Sequence, residues 1–279
     1  MGPVVRPDPG ERIGGAGADS PTYATRWGNV AFVALDANDV SYEITKNQGY
    51  TGGLQNGWVA ATLQSLRADP AIDFIVVGFH HCMYCTNTVH GSDGGVRDAW
   101  GALFDQYRVD LVVNGHNHSY ERTHPVRAGE PTAQAPAGSE IDTAAKGTVY
   151  VTAGAGGQAA YPSSTHPQSY VWSPDGQVPE SAEWSSVRYL GDHSLLVVDV
   201  VPGHGQVPAR MSARALASDG SEVDRFTIHR SSAAAHAVPG LSPSLRWPAA
   251  ALLAAGGLRA LGSLGSEPDR AQPPGPDQA

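Results

Sequence analysis

From Trp27 to Gly115 apolar runs alternate with helical stripes, and this alternation constrains the fold more than any other feature of the chain. Val30-Ala-Phe-Val-Ala-Leu35 is a short β-like run. Leu54, Trp58, Ala61 and Leu66 fall at helical spacing, closed by Asp69-Pro70, where a helix does not continue comfortably. Ile72–Val77 reads as a second strand. Val96, Trp100, Leu103, Phe104 and Tyr107 mark an amphipathic helix, and Val109–Val113 a third strand. The result is a βαβαβ pattern whose last two strands are almost wholly apolar, as strands covered on both faces are. A parallel sheet with helical crossovers is therefore expected.

After about residue 147 the texture changes to strands without intervening helices: Thr148–Ala153, Ser194–Val200, Ala209–Ala217 and Val223–His229. Ser218-Asp-Gly-Ser221 reads as a hairpin turn. Ala128–Ala145 and Tyr161–Trp184, rich in Pro, Gly and Ser, read as loop. The fold class is thus α/β, a partial βαβαβ sheet followed by a largely antiparallel β region.

Composition excludes several classes of function. Against 18 Lys+Arg stand 27 Asp+Glu, a formal charge of −9, and no basic cluster is present to neutralise a phosphate backbone, so no nucleic-acid partner is expected. Two cysteines make no disulfide framework. Residues 1–21 read as an irregular segment without the apolar core of a signal peptide, 22–230 as the folded portion, and 231–279 as a poorly ordered Ala/Pro/Gly-rich tail. The tail's apolar patch, Trp247–Leu258, falls short of the roughly 20 residues a spanning helix needs, so no stable membrane insertion is expected.

Polar residues gather directly after two of the parallel strands. One strand runs into Gly78-Phe79-His80-His81-Cys82-Met83-Tyr84-Cys85, the other into Asn114-Gly115-His116-Asn117-His118. Ligands of open α/β sheets sit at the carboxyl ends of strands, so the two loops are placed to converge. In an extended segment His116 and His118 would point to one side, about 6–7 Å apart, each able to hold one ion of a metal pair about 3.5–4 Å apart. His80 could add an imidazole to one of those ions.

Val112-Val-Asn-Gly-His-Asn-His-Ser-Tyr-Glu-Arg122 resembles the last metal motif of the purple acid phosphatases, in the calcineurin-like metallophosphoesterase superfamily. Val77-Gly-Phe-His80 resembles the motif before it. The strands around Trp27–Asp36 and Val149–Gly157 resemble the flanking ones, so the likeness spans about residues 22–230. It implies an α+β sandwich of the metallophosphoesterase type. It also implies hydrolysis of small-molecule phosphomonoesters by a dinuclear metal-activated hydroxide, Fe3+ with Zn2+, Mn2+ or Fe2+. By position, His80 and His116 would bind the divalent metal and His118 the ferric one. His90 would contact substrate and donate a proton to the leaving alcohol; apart from the resemblance, His81 is expected either to line the pocket or simply to pack. The family's members suggest a secreted protein. The alternatives are a phosphodiesterase or nucleotidase of the same superfamily, and a non-catalytic secreted module that binds metal or a partner.

The resemblance also implies an early Asp, a Gly-Asp-x-x-Tyr and a Gly-Asn-His-Glu, and none precedes Trp27. Three imidazoles without a carboxylate are a poor home for ferric iron, which takes anionic oxygen donors. The expectation is an N-terminally truncated phosphatase, weakly metal-binding and inactive if made as written, its apolar sheet partly uncovered. Among weaker features, Cys82-x-x-Cys85 suggests a local disulfide or two free thiols, with zinc capture as the alternative. Tyr120-Glu-Arg122 is expected to brace its loop. Asp36, Asn38 and Asp39 suggest a turn rather than a calcium loop, and Gly154-Ala-Gly-Gly157 a tight turn near the site.

Overall fold

The computed structural model describes residues 11–15, 21–87, 89–158, 161, 168–204 and 207–231. They fall within the first of two compact units, Met1–Pro239. The Trp247–Leu258 patch and all but the first residue of the 231–279 tail lie outside the described residues.

The strands, in chain order, are β1 (Glu11–Gly15), β2 (Tyr23–Trp27), β3 (Val30–Ala34), β4 (Phe74–Phe79), β5 (Leu111–Asn114), β6 (Tyr120–Thr123), β7 (Ser139–Asp142) and β8 (Val149–Ala153). They continue with β9 (Gln168–Ser173), β10 (Gly176–Ser181), β11 (Ser185–Tyr189), β12 (Ser194–Val201), β13 (Arg210–Ala217) and β14 (Glu222–His229). Eight form the main sheet in the order β1-β2-β3-β4-β5-β8-β6-β11. Its centre, β3-β4-β5-β8, is parallel, and its flanks are antiparallel. Helix α1 (Leu54–Ala68) crosses from β3 to β4, and a helical stretch over 94–106 crosses from β4 to β5. The expected βαβαβ unit is present.

Alternation along the central strands sorts the core into two layers. Ile75 and Val77 of β4 pack with Val59, Leu63 and Leu66 of α1 and with Trp100 and Phe104 of the second crossover. Phe74 and Val76 face the other way, with Leu111, Val149 and Val151, against Met211, Ala213, Phe226 and Ile228. Those last residues belong to a second sheet, β7-β14-β13-β12. The centre of the main sheet is therefore covered on both faces by elements of this chain, while its β2 flank leaves Tyr23 (37%) and Trp27 (58%) exposed, in keeping with the partial exposure expected. Apolar exposure also falls on the edge strand β12 of the second sheet, at Leu195 (54%) and Val201 (63%).

Several segments differ from the sequence reading. Glu11–Gly15 is an edge strand rather than irregular chain, held by ladder bonds to β2. Tyr161–Trp184 contains the β9–β10 hairpin, and Ala128–Ala145 contains β7, both expected as loop. Tyr170, Val171 and Trp172 are good strand formers hidden by Pro174, Gly176 and Pro179, which sit at the turn and in the outer strand of a small three-stranded sheet. The hairpin at Ser218–Ser221 forms as expected, closed by Ala217 N–H donating to the Ser221 carbonyl at 2.9 Å.

One ion cluster ties the crossover helix to both sheets. Arg67, buried on α1, donates to Asp110 Oδ2 at 2.8 Å and to the Tyr107 and Arg108 carbonyls. Asp110 also accepts from the Ile75 N–H, from the Thr143 hydroxyl and from Arg230. Burial opposes its charge, but Arg230 and Arg67 more than offset this and hold its carboxyl below its ordinary range. Asp110→Ala leaves two guanidinium groups buried without their carboxylate and is expected to lower unfolding stability by about 3–5 kcal/mol. Glu222→Ala, at the exposed Arg225–Glu222 pair, should cost no more than about 0.5 kcal/mol. Urea unfolding checks both. The Asp110 contribution should be fully present above its unfolded pKa of about 3.9 and lost as pH falls below it, since only the unfolded chain takes the proton there.

Candidate metal centre

The ladder between β4 and β5 fixes the two histidine loops side by side. It runs to Phe79↔Asn114 and is extended by Gly115 N–H donating to the His80 carbonyl at 3.0 Å. Asn114 Nδ2 donates to the Phe79 carbonyl, pinning the same edge from a side chain. Beyond this point the 115–119 segment is not extended. His116 has φ of 67°, in the left-handed region, and Asn117 and Ser119 donate back to the carbonyls of Gly115 and Asn117. The turn gives the two rings different neighbours. His116 meets His80, its Nδ1 lying 3.2 Å from His80 Nε2. His118 stacks on Tyr161 at 4.1 Å between ring centroids.

At the middle of the cluster is Glu43, which the sequence reading did not single out. Its Oε2 accepts from His116 Nε2 and its Oε1 from His90 Nδ1, each at 2.7 Å. The far nitrogen of His90, Nε2, lies 2.8 Å from the Tyr161 hydroxyl. That hydroxyl is 3.5 Å from His118 Nε2. The donor atoms of Glu43, His90 and His116 all lie within 4.8 Å of one another. His80 and His118 flank this set without joining it.

Glu43 is placed by Asp93. That carboxylate caps the helix start, accepting from the Gly95 and Val96 N–H groups, and also accepts from the Tyr42 and Glu43 N–H groups and the Ser41 hydroxyl. Gly95 makes the contact possible, because a Cβ there would lie 1.9 Å from the Val40 carbonyl oxygen. Asp93 is thus saturated by backbone and hydroxyl donors, which removes it from the second donor group it would form with Glu43 and His81.

Charge in the cluster is shared. Burial works against ionisation of both Glu43 and His116, yet their hydrogen bond lowers the carboxyl pKa and raises that of the imidazole. Burial and the neighbouring His116 hold His80 down. His81 is buried, and neither ring nitrogen has a hydrogen-bond partner among the described residues. Burial, then His116, pushes its pKa down to about 4.

The thiols of Cys82 and Cys85 are buried and free, not joined in a disulfide. Asn117 Nδ2 donates to both sulfurs, so the pair seats the His116–His118 loop from below. Burial opposes the Cys82 thiolate, but hydrogen bonds from Cys85 and Asn117 bring its pKa down to about 7. Tyr120-Glu-Arg122 braces the loop as expected. Tyr120 and Arg122 both bind Asp224, and Glu121 accepts from Thr86 and Ser185. Asp36 and Asp39 cap local turns rather than forming a cation loop, Asp39 accepting from Thr51 and Gln55. Gly154 is a close-approach position, with a Cβ there meeting the Asn117 carbonyl oxygen at 2.0 Å.

No family model matches the chain. An uncharacterized protein of Mycobacterium tuberculosis is 32% identical over 236 residues, 74% of this chain and 45% of that protein. A protein of Arabidopsis thaliana named "probable inactive purple acid phosphatase 27" is 29% identical over 143 residues, 48% of this chain and 21% of that protein. Among solved structures, a purple acid phosphatase from yellow lupin (Lupinus luteus) seeds superposes with a TM-score of 0.51 at 21% identity, over 77% of this chain and 34% of that one. The chain has the metallophosphoesterase-type fold. It spans less than half the length of each of these relatives.

The donor set decides which metal content fits. A ferric–divalent pair needs several anionic oxygen donors. Among the described residues the cluster offers one available carboxylate, Glu43, so this chain's own side chains do not fit such a pair. One carboxylate with imidazoles does fit a single divalent ion of the zinc type.

His81 carries a testable cost. His81→Leu removes two unpartnered nitrogens from the interior and is expected to raise stability by about 1–2 kcal/mol in urea unfolding. In the native protein His81 stays neutral down to about pH 4. The unfolded chain takes the proton near pH 6.5, so stability should fall as pH drops from about 6.5 to 4. His81→Leu should flatten that slope.

Proposed function

We propose that the chain hydrolyses phosphoric esters, phosphomonoesters foremost, in a metal-dependent reaction. The observation that carries this reading is the Glu43 carboxylate held between His90 and His116 at the carboxyl edge of the parallel strands. It answers the objection raised by the sequence, that three imidazoles alone give a cation no anionic donor. The likeness to a solved purple acid phosphatase is one of fold, and it supports the reading without specifying substrate.

A bound divalent cation supplies a hydroxide near neutral pH and positive charge against phosphoryl oxygens. The chain's own residues set the conditions for it. Glu43 and His116 keep negative charge and imidazole nitrogens at one point. The Tyr161 hydroxyl fixes the orientation of the His90 ring. The Cys82–Cys85–Asn117 contacts hold the strained turn that delivers His116.

With Zn2+ or Mn2+ added, the chain should hydrolyse p-nitrophenyl phosphate faster than bis-p-nitrophenyl phosphate. His116→Ala should lower the rate by at least about 100-fold, the scale of losing a group that acts in the transition state. A diester preference would move the substrate assignment to phosphodiesters. Hydrolysis absent, or indifferent to His116→Ala, would overturn the enzymatic reading in favour of a metal-binding module.

A further inference from the structure

We infer that Glu43, His90 and His116 form a site for one divalent cation of the zinc type, complete within this chain. The inference deepens the metal-dependent part of the proposed function and rests on it, but does not depend on the ester. Three observations converge. The three donor atoms lie within 4.8 Å of one another, and a cation about 2 Å from each needs them roughly 3.3 Å apart. One carboxylate and two imidazoles, with a fourth position left open, is a donor set that catalytic zinc uses.

The third observation concerns the far side of each ring. An imidazole that ligates a metal donates its other N–H to an orienting partner. Both partners are already in place. His116 Nδ1 faces His80 Nε2 at 3.2 Å, and His90 Nε2 faces the Tyr161 hydroxyl at 2.8 Å. With a cation held at His116 Nε2 and His90 Nδ1, neutral rings would carry their single protons on His116 Nδ1 and His90 Nε2, facing His80 and Tyr161. In this assignment His90 is a ligand rather than the proton donor, His80 is a positioning residue, and His118 lies outside the site.

Zn2+ titration of the full chain by calorimetry, with metal content by elemental analysis, should give one ion per chain. Glu43→Gln, His90→Ala and His116→Ala should each weaken binding beyond the roughly 10–100-fold that losing an outer partner costs, and His80→Ala should fall within that range. His118→Ala should bind as the parent does. Circular dichroism of the metal-free variants verifies that each is folded. Co2+ in place of Zn2+ should give the strong visible bands of a four-coordinate nitrogen–oxygen site, without thiolate charge transfer. Two ions per chain, loss of binding in His118→Ala, or thiolate bands from Cys82 and Cys85 would each overturn the assignment. Failure of this test with intact phosphatase activity would refute the ligand set alone. Zinc bound as described without ester hydrolysis would refute only the proposed function.

Discussion

The parallel pairing of β4 with β5 is the constraint on which the site depends. Two neighbouring strands of a parallel sheet end at the same edge, and their ladder here runs through Phe79↔Asn114 and one bond further, to Gly115 and the His80 carbonyl. That fixes His80 and His116 within ring contact before any side-chain preference acts. A buried strand holds such a register tightly, because a one-residue slip would turn every side chain to the opposite face. The two cores on either side of β4, one with α1 and one with the second sheet, supply that penalty.

Backbone register alone does not make a cation site, because it delivers imidazoles without negative charge. The missing charge comes from a loop before α1 and is brought in by Asp93. This one carboxylate caps a helix and holds the 41–43 backbone, so the helix start and Glu43 are positioned by the same group. Gly95 lets the two backbones touch. Removing the Asp93 carboxylate would release both attachments at once, which makes the site's geometry a property of the crossover and not of the histidine loops alone.

This explains which parts of the site could be read from the sequence. His80 and His116 were legible because they follow apolar strands whose pairing is implied by the βαβαβ pattern. The bracing by Tyr120, Glu121 and Arg122 was legible through their adjacency to the histidines. Glu43 was not, since it sits in no motif, and what places it is a set of hydrogen bonds to a residue 50 positions away. The different neighbours of His116 and His118 were hidden for a different reason. An i, i+2 pair points to one side only in extended chain, and a positive φ at a non-glycine residue is not written in composition. The β9–β10 hairpin was masked by prolines that a central strand would reject but a short outer strand accepts.

The site also concentrates local costs that the rest of the fold must offset. His116 stands in a left-handed conformation, and His81 is buried with both nitrogens unpartnered among the described residues. Each feature is worth on the order of 1–3 kcal/mol against folding. Such expense at one sheet edge has a physical explanation if a ligand repays it. A cation held by Glu43, His90 and His116 would stabilise the folded chain in proportion to its concentration over its dissociation constant. The strained turn and the packed thiols beneath it then belong to the binding energetics, and metal-free chain sits at the less stable end of a linked equilibrium. The Asp110 cluster, at the opposite end of β5 from the histidine loop, ties α1 to both sheets and lets the site be strained without the fold being so.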